Sequence, residues 1–209
     1  MDTVKGIILR STDYKEKDKL LNIFTANGLI TATAKGVRNP KAKLRASVMP
    51  MTFGEFVFNK KSKNRIISGI ETIDNFYESW QNLNKMKAMS FCMEVCEKSF
   101  TAQEDMTDEF VCLLKTLKEI NYGETNSIAI CLKYLVSCAT ACGVDYSVIS
   151  GYDADSYEIL SSFGRCEADE IGTLPYSVGR VITAISQLYN VYKDFLGIKL
   201  NTFGQLIRY

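Results

Sequence analysis

The sequence predicts an α+β chain of two modules: a five-stranded β-barrel over residues 1–75, then an α-helical domain over residues 76–209. Three observations carry that prediction. Apolar residues alternate with period two as far as Asp74 and recur about every 3.6 residues beyond it, the change from strand to helix spacing. The charge changes sign at nearly the same place. Residues 1–70 hold 14 Lys/Arg against 5 Asp/Glu, a net of +9, while residues 71–209 hold 11 against 19, a net of −8. Finally, Asn27-Gly28 stands between two strand-like runs, a strong short-range hairpin signal because both residue types tolerate positive φ.

The strands follow in order. Residues 4–10 (VKGIILR) and 19–25 (KLLNIFT) are short, apolar and rich in β-branched side chains. In ITATAKG, Ile30, Ala32 and Ala34 alternate with Thr31 and Thr33, as on a half-buried strand. A fourth strand is expected over Met51–Asn59 and a fifth over Arg65–Ile73, with Lys60–Asn64 as the turn between them. Five short strands joined by glycine-bearing turns fit a small barrel, and among five-stranded barrels the OB-fold is the common nucleic-acid binder.

Beyond Asp74, Met86, Met89, Met93, Cys96 and Phe100 form one apolar stripe. Thr107 is expected to cap a second helix, with Asp108 and Glu109 in its first turn and Phe110, Leu113, Leu114 and Leu117 behind. Ile128, Cys131, Leu132, Leu135 and Ala139 line a third. Ser177 caps a last one through Ile182, Ile185, Leu188, Tyr189 and Tyr192, ending near Gly197. The polar segment Gly143–Pro175 reads as a long connection with little regular structure.

Composition narrows the chemistry. The chain has 209 residues, 46% hydrophobic and 23% charged, enough to bury a core. It contains no histidine, which removes Ser-His-Asp and Cys-His nucleophile systems and every histidine-containing metal site. Neither a Walker A pattern nor a dinucleotide-binding glycine fingerprint is present. Seven cysteines without a regular framework read as small buried hydrophobes in a reducing compartment. No apolar run approaches the roughly 18 residues that span a bilayer, and the N-terminus has no cleavage-site pattern, so the expectation is a cytoplasmic protein. A non-enzymatic role is expected, with no cofactor.

The basic half points to nucleic acid. No acidic residue occurs between Lys19 and Gly54, and Lys35, Arg38, Lys41, Lys43 and Arg45 fall within eleven positions. A second cluster comprises Lys60, Lys61, Lys63 and Arg65. Cations placed along a phosphate backbone release condensed counterions, so binding is cumulative and salt-dependent. Phe53, Phe56, Phe58 and Tyr14 are the candidates for base stacking, with barrel core the simpler reading for at least two of the phenylalanines.

The first 75 residues also resemble, in order and spacing, the opening of the RecO family of bacterial recombination mediators. The shared elements are Tyr14, Glu16 and Asp18; Phe24 and Thr25; Gly28; Ala34, Lys35, Gly36 and Arg38; and Val48 to Pro50. The helical half is similar mainly in arrangement. The resemblance implies an OB-fold and a helical domain, a nucleoid-associated protein that binds single- and double-stranded DNA, and the annealing of complementary strands. It further implies engagement of the single-stranded DNA-binding protein's C-terminal tail and, with RecR, the loading of RecA. Lys115, Lys118 and Lys133 are candidates for the edges of the tail groove, which stays unassigned.

Many members of that family carry a zinc module of two Cys-x-x-Cys pairs. Here the register places Ser147, Ser150 and Gly151 at the first pair and Cys166 and Asp169 at the second. One thiolate of four does not make a closed tetrahedral site, so residues 143–175 are expected to be a metal-free vestige. Cys138 and Cys142 lie one turn apart upstream. Three other classes fit parts of the sequence: an RNA-binding OB-fold factor, an enzyme using Glu16 and Asp18, and a protein adaptor. Charge-pairing of Glu16 and Asp18 with Lys15, Lys17 and Lys19 is the simpler reading of those carboxylates.

Overall fold

A computed structural model describes residues 2–59, 65–101, 104–145, 153–167 and 170–208. The chain divides into two compact units, Met1–Phe76 with Phe100–Val111, and Tyr77–Ser99 with Cys112–Tyr209.

The first unit is the expected OB-fold barrel. Its strands are β1 (Asp2–Tyr14), β2 (Asp18–Thr25), β3 (Gly28–Ala34), β4 (Phe53–Phe58) and β5 (Ile66–Asp74). They close in the order β1-β2-β3-β5-β4. β1 is long because it serves two partners: Asp2–Ile7 pairs with β4, and Gly6–Tyr14 pairs with β2. A register shift between Ile8 and Arg10 turns the strand from one ladder to the other, as a bulge does in small barrels. The β2–β3 hairpin sits where Asn27-Gly28 places it, with Thr25 opposite Gly28. Of that pair only Gly28 takes a positive φ (86°), and the Thr25 hydroxyl ties the turn by donating to the Gly28 carbonyl at 2.9 Å.

Side chains from every strand fill the barrel. Ile8, Leu21, Ile23, Ile30, Phe56 and Ile67 belong to its core, joined by Val37 and Val48 from the long β3–β4 connection. Residues 100–111, read from the sequence as part of the helical domain, pack with this unit. The Phe24 ring lies 6.1 Å from Phe100 and 6.3 Å from Phe110, and the Met106 N–H donates to the Ala26 carbonyl at 2.8 Å. Phe100 thus continues the apolar stripe in sequence but buries its ring against the barrel.

Among the described residues seven α-helices follow: α1 (Tyr77–Trp80), α2 (Leu83–Ser99), α3 (Thr107–Tyr122), α4 (Ser127–Ala141), α5 (Ala154–Arg165), α6 (Val178–Leu196) and α7 (Phe203–Leu206). The caps of α6 are the expected ones. Ser177 accepts the Arg180 N–H, and Gly197 ends the helix at a φ of 67°. At α3 the capping oxygen belongs to Asp105, which accepts both the N–H and the hydroxyl of Thr107, so Thr107 is not the cap.

Helix α5 corrects the expectation of an irregular segment over 143–175. Asp153 caps it by accepting the Ser156 N–H at 2.7 Å, and Ser156, Ile159, Leu160 and Phe163 form its buried stripe. Only four positions of twelve are buried, so the periodic signal was diluted by Ser, Asp and Glu on the exposed face. Among the described residues no helix is long and apolar enough to cross a membrane.

Candidate nucleic-acid interface

The β3–β4 connection carries the basic loop, and its conformation follows from three kinds of restraint. The first is apolar. Val37 is buried and Leu44 half-buried against the barrel core, and Val48 is fully buried in it. The second is a run of tight turns, in which Asn39, Ala42, Arg45 and Ser47 each donate their N–H to the carbonyl three residues earlier. The third is a set of long-range polar contacts to the β1–β2 turn. Asp18 accepts the Gly36 N–H at 2.8 Å, where Gly36 adopts a left-handed conformation (φ 68°) open to glycine. Arg38 reaches the same turn, with Nη1 donating to the carbonyls of Lys15 and Glu16, both at 3.1 Å, and Nη2 facing the Asp13 carboxylate at 3.0 Å. The Arg38 N–H donates to the Lys17 carbonyl.

With Val37, Leu44 and Val48 turned inward, the cations face out. Lys35, Lys41, Lys43 and Arg45 are exposed and, among the described residues, none forms an ion pair. Arg65 joins this edge through its backbone: its carbonyl accepts the Thr33 N–H at 2.9 Å, and the following Ile66 pairs with Thr33, two positions before Lys35. Its side chain is exposed. Lys60, Lys61 and Lys63 lie outside the described residues.

The aromatic candidates separate cleanly. Phe56 and Phe58 are buried in the barrel core and Phe53 is buried with its ring 6.3 Å from Phe110, so none is a stacking surface. Tyr14 is 41% exposed at the end of β1, with the Lys15 ammonium 5.2 Å from its ring centroid. It stands on the turn that Arg38 grips, beside the basic loop.

Two sequence readings change here. Asp18, read as a partner for neighbouring lysines, instead holds the basic loop through Gly36. Asp13, which no sequence pattern singled out, holds it through Arg38. The one available signal was the joint occurrence of the Tyr-x-Glu-x-Asp and Lys-Gly-x-Arg runs, which are adjacent only in the fold.

In the helical unit, Lys133 is tied to the end of α5. Its ammonium donates to the carbonyls of Phe163 (2.9 Å) and Cys166 (2.7 Å), satisfying orphan acceptors at the C-terminus of α5. Lys115 and Lys118 are exposed on α3. Cys166 is buried, its thiol donates to the Phe163 carbonyl, and burial pushes that thiol above its ordinary titration range. One thiol with Ser and Asp at the other register positions does not supply the closed tetrahedral ligand set of a structural zinc centre. Ser147, Ser150, Gly151 and Asp169 lie outside the described residues. Cys92, Cys96, Cys131 and Cys138 are buried, and the Cys92 and Cys138 thiols are raised chiefly by desolvation. Among the described residues no group of three or more Cys, Asp or Glu could hold a metal ion.

Comparison with known proteins bears on the same module. Residues 1–76 match the family model described as recombination protein O N terminal. The chain is 28% identical over 163 residues to the DNA repair protein RecO of Staphylococcus epidermidis, covering 76% of this chain and 64% of that protein. It is 38% identical over 103 residues to the Clostridium perfringens protein of the same name, covering 48% of this chain and 41% of that one. A similarity of 25% identity to the Staphylococcus haemolyticus protein runs over 211 residues, covering 98% of this chain and 84% of that one. Against the first two, the chain spans about two fifths to two thirds of the relative's length.

Proposed function

Residues 1–76 match the N-terminal module of the RecO family, and from that premise we propose that the chain is a RecO-family DNA repair and recombination mediator that binds DNA through the basic loop of its OB-fold barrel. The observation that carries the proposal is the outward set Lys35, Lys41, Lys43 and Arg45, exposed and without ion-pair partners among the described residues, on a loop pinned by Val37, Leu44 and Val48. A pinned loop loses little conformational entropy when its cations meet phosphates, so more of their attraction appears as affinity. The contacts are to backbone charge, and binding is independent of base sequence. Arg65 extends the same track, and Lys60, Lys61 and Lys63, outside the described residues, are proposed DNA contacts on their charge alone.

Binding of this kind supports strand annealing with no bond-making residue. Neutralised phosphates lower the repulsion between complementary strands, and base pairing supplies the free energy. The reading is therefore non-enzymatic. As a mediator the chain acts in the cytoplasm at the nucleoid, meets the C-terminal tail of the single-stranded DNA-binding protein, and works with RecR to load RecA on coated strands.

The test is anisotropy of a fluorescent single-stranded oligonucleotide over a salt series, followed by addition of the complement. Four phosphate contacts give a log–log salt slope of about −3 and roughly a fifty-fold loss of affinity between about 50 and 200 mM salt. Accelerated annealing is expected with that binding. No binding at low salt overturns the proposal, and tighter binding to RNA of the same sequence moves the function to an RNA partner.

A further inference from the structure

By charge alone, Arg38 is a phosphate ligand like its neighbours in the basic loop. Its surroundings say otherwise. The guanidinium donates to two carbonyls of the β1–β2 turn, those of Lys15 and Glu16, and faces the Asp13 carboxylate at 3.0 Å. A cation opposed by a carboxylate at that distance adds little to the field that a polyanion meets outside the protein. The planar fork, with several donors in fixed directions, suits a bridge between two chain segments better than a point charge does. Among the described residues Lys35, Lys41 and Lys43 have no such engagement.

We propose that Arg38 is a positioning residue of this interface and not one of its phosphate ligands. Together with Asp18 on the Gly36 N–H, it locks the basic loop to the β1–β2 turn in the conformation that presents Lys35, Lys41 and Lys43 beside Tyr14. The inference rests on the nucleic-acid reading of that loop. It has an unusual consequence: Asp13 and Asp18, two anions, favour the binding of a polyanion. A sum of charges gives them the opposite effect.

The experiment measures single-stranded oligonucleotide binding by the full chain across a salt series, with the fold of each variant checked by thermal melting. Lys41→Ala removes one contact and is expected to weaken binding about fourfold at moderate salt, with the slope falling by about 0.7. Arg38→Lys keeps the charge but not the fork, and is expected to weaken binding about tenfold, more than Lys41→Ala does. Asp18→Ala and Asp18→Asn remove the same negative charge, yet only the asparagine keeps an oxygen for Gly36. Asp18→Asn is expected to bind at least as well as the wild type, and Asp18→Ala to bind more weakly.

Arg38→Lys binding like the wild type, or a folded Asp18→Ala binding as well as Asp18→Asn, overturns the positioning role while leaving DNA binding intact. If Asp18→Ala does not fold, the comparison of Arg38→Lys with Lys41→Ala decides. A wild-type chain that binds no DNA overturns the nucleic-acid reading itself, and the positioning role with it.

Discussion

Oδ1 of Asp18 accepts the backbone N–H of Gly36 at 2.8 Å, joining the first residue of β2 to a residue eighteen positions later that directly follows Lys35. This contact and the Arg38 bridge make the β1–β2 turn and the basic loop one surface, with Tyr14 on one side and the free lysines on the other.

The free cations of that surface define the first prediction. Reversing Lys35, Lys41 and Lys43 together to Glu is expected to abolish oligonucleotide binding at physiological salt while leaving the melting temperature of the barrel nearly unchanged. All three side chains are exposed and engage no described partner. Anisotropy and circular dichroism check both halves, and unchanged binding removes the loop from the interface.

Tyr14 provides the second. As the exposed aromatic of the turn it can stack on an unpaired base, a contact worth about 1–3 kcal/mol. Tyr14→Ala is therefore expected to weaken single-stranded binding at least fivefold and to leave duplex binding almost unaffected, because duplex bases are already stacked. Equal losses on both forms would mean that the ring acts only by holding the turn.

The third concerns the helical unit. Glu94 is buried, and its two carboxylate oxygens accept the N–H groups of Asn201 and Thr202, the Asn201 amide and the Thr202 hydroxyl, at 2.7–3.0 Å. Lys98 adds an ion pair at 3.1 Å. Burial alone raises a carboxyl, but these donors outweigh it and hold Glu94 below its ordinary range. The stability it supplies is thus complete above the unfolded glutamate value of about 4.3 and is lost as pH falls toward the lower folded value. Glu94→Ala is expected to cost about 3 kcal/mol and to flatten stability between about pH 5 and 3. Chemical denaturation across that range reads both effects, and faster amide exchange at residues 200–206 localises them.

The fourth separates two glycines of the barrel. A Cβ on Gly54 would lie 2.5 Å from the Glu71 carbonyl oxygen, a backbone atom that cannot swing away, whereas one on Gly69 would meet Val57 at an ordinary 3.7 Å. Gly54→Ala is expected to destabilise the barrel by about 2–3 kcal/mol, and Gly69→Ala to change it by no more than about 0.5 kcal/mol. Urea unfolding of the two variants makes the comparison.

The strands were legible because their alternation is local. Ile30, Ala32 and Ala34 face the core as their spacing requires. The extra length of β1 was not, because Ser11–Tyr14 is polar and forms strand only through its pairing with Leu21–Asp18. Helix α5 was hidden by its exposed face, and Phe100 was assigned by period to a helix whose packing it does not share. Within the interface, the exposed lysines could be read from the sequence because charge needs no partner to be counted. The roles of Asp13, Asp18 and Arg38 could not, since they arise between segments about twenty residues apart that meet only in the folded barrel.

The double pairing of β1 also sets the order in which the barrel can assemble. β1, β2 and β3 form a meander through neighbouring contacts, but β1 meets β4 only through pairs such as Asp2 with Phe58, and β3 meets β5 only at Thr33–Ile66 and Ala34–Ile67. Contacts so distant along the chain close slowly. During synthesis, a chain that has emerged only through β3 presents two open strand edges and an uncapped apolar interior. That is the period when the nascent protein is most exposed to aggregation, and the cations of the basic loop, next to leave the ribosome, add to Lys5, Arg10, Lys15, Lys17 and Lys19 in keeping those edges apart.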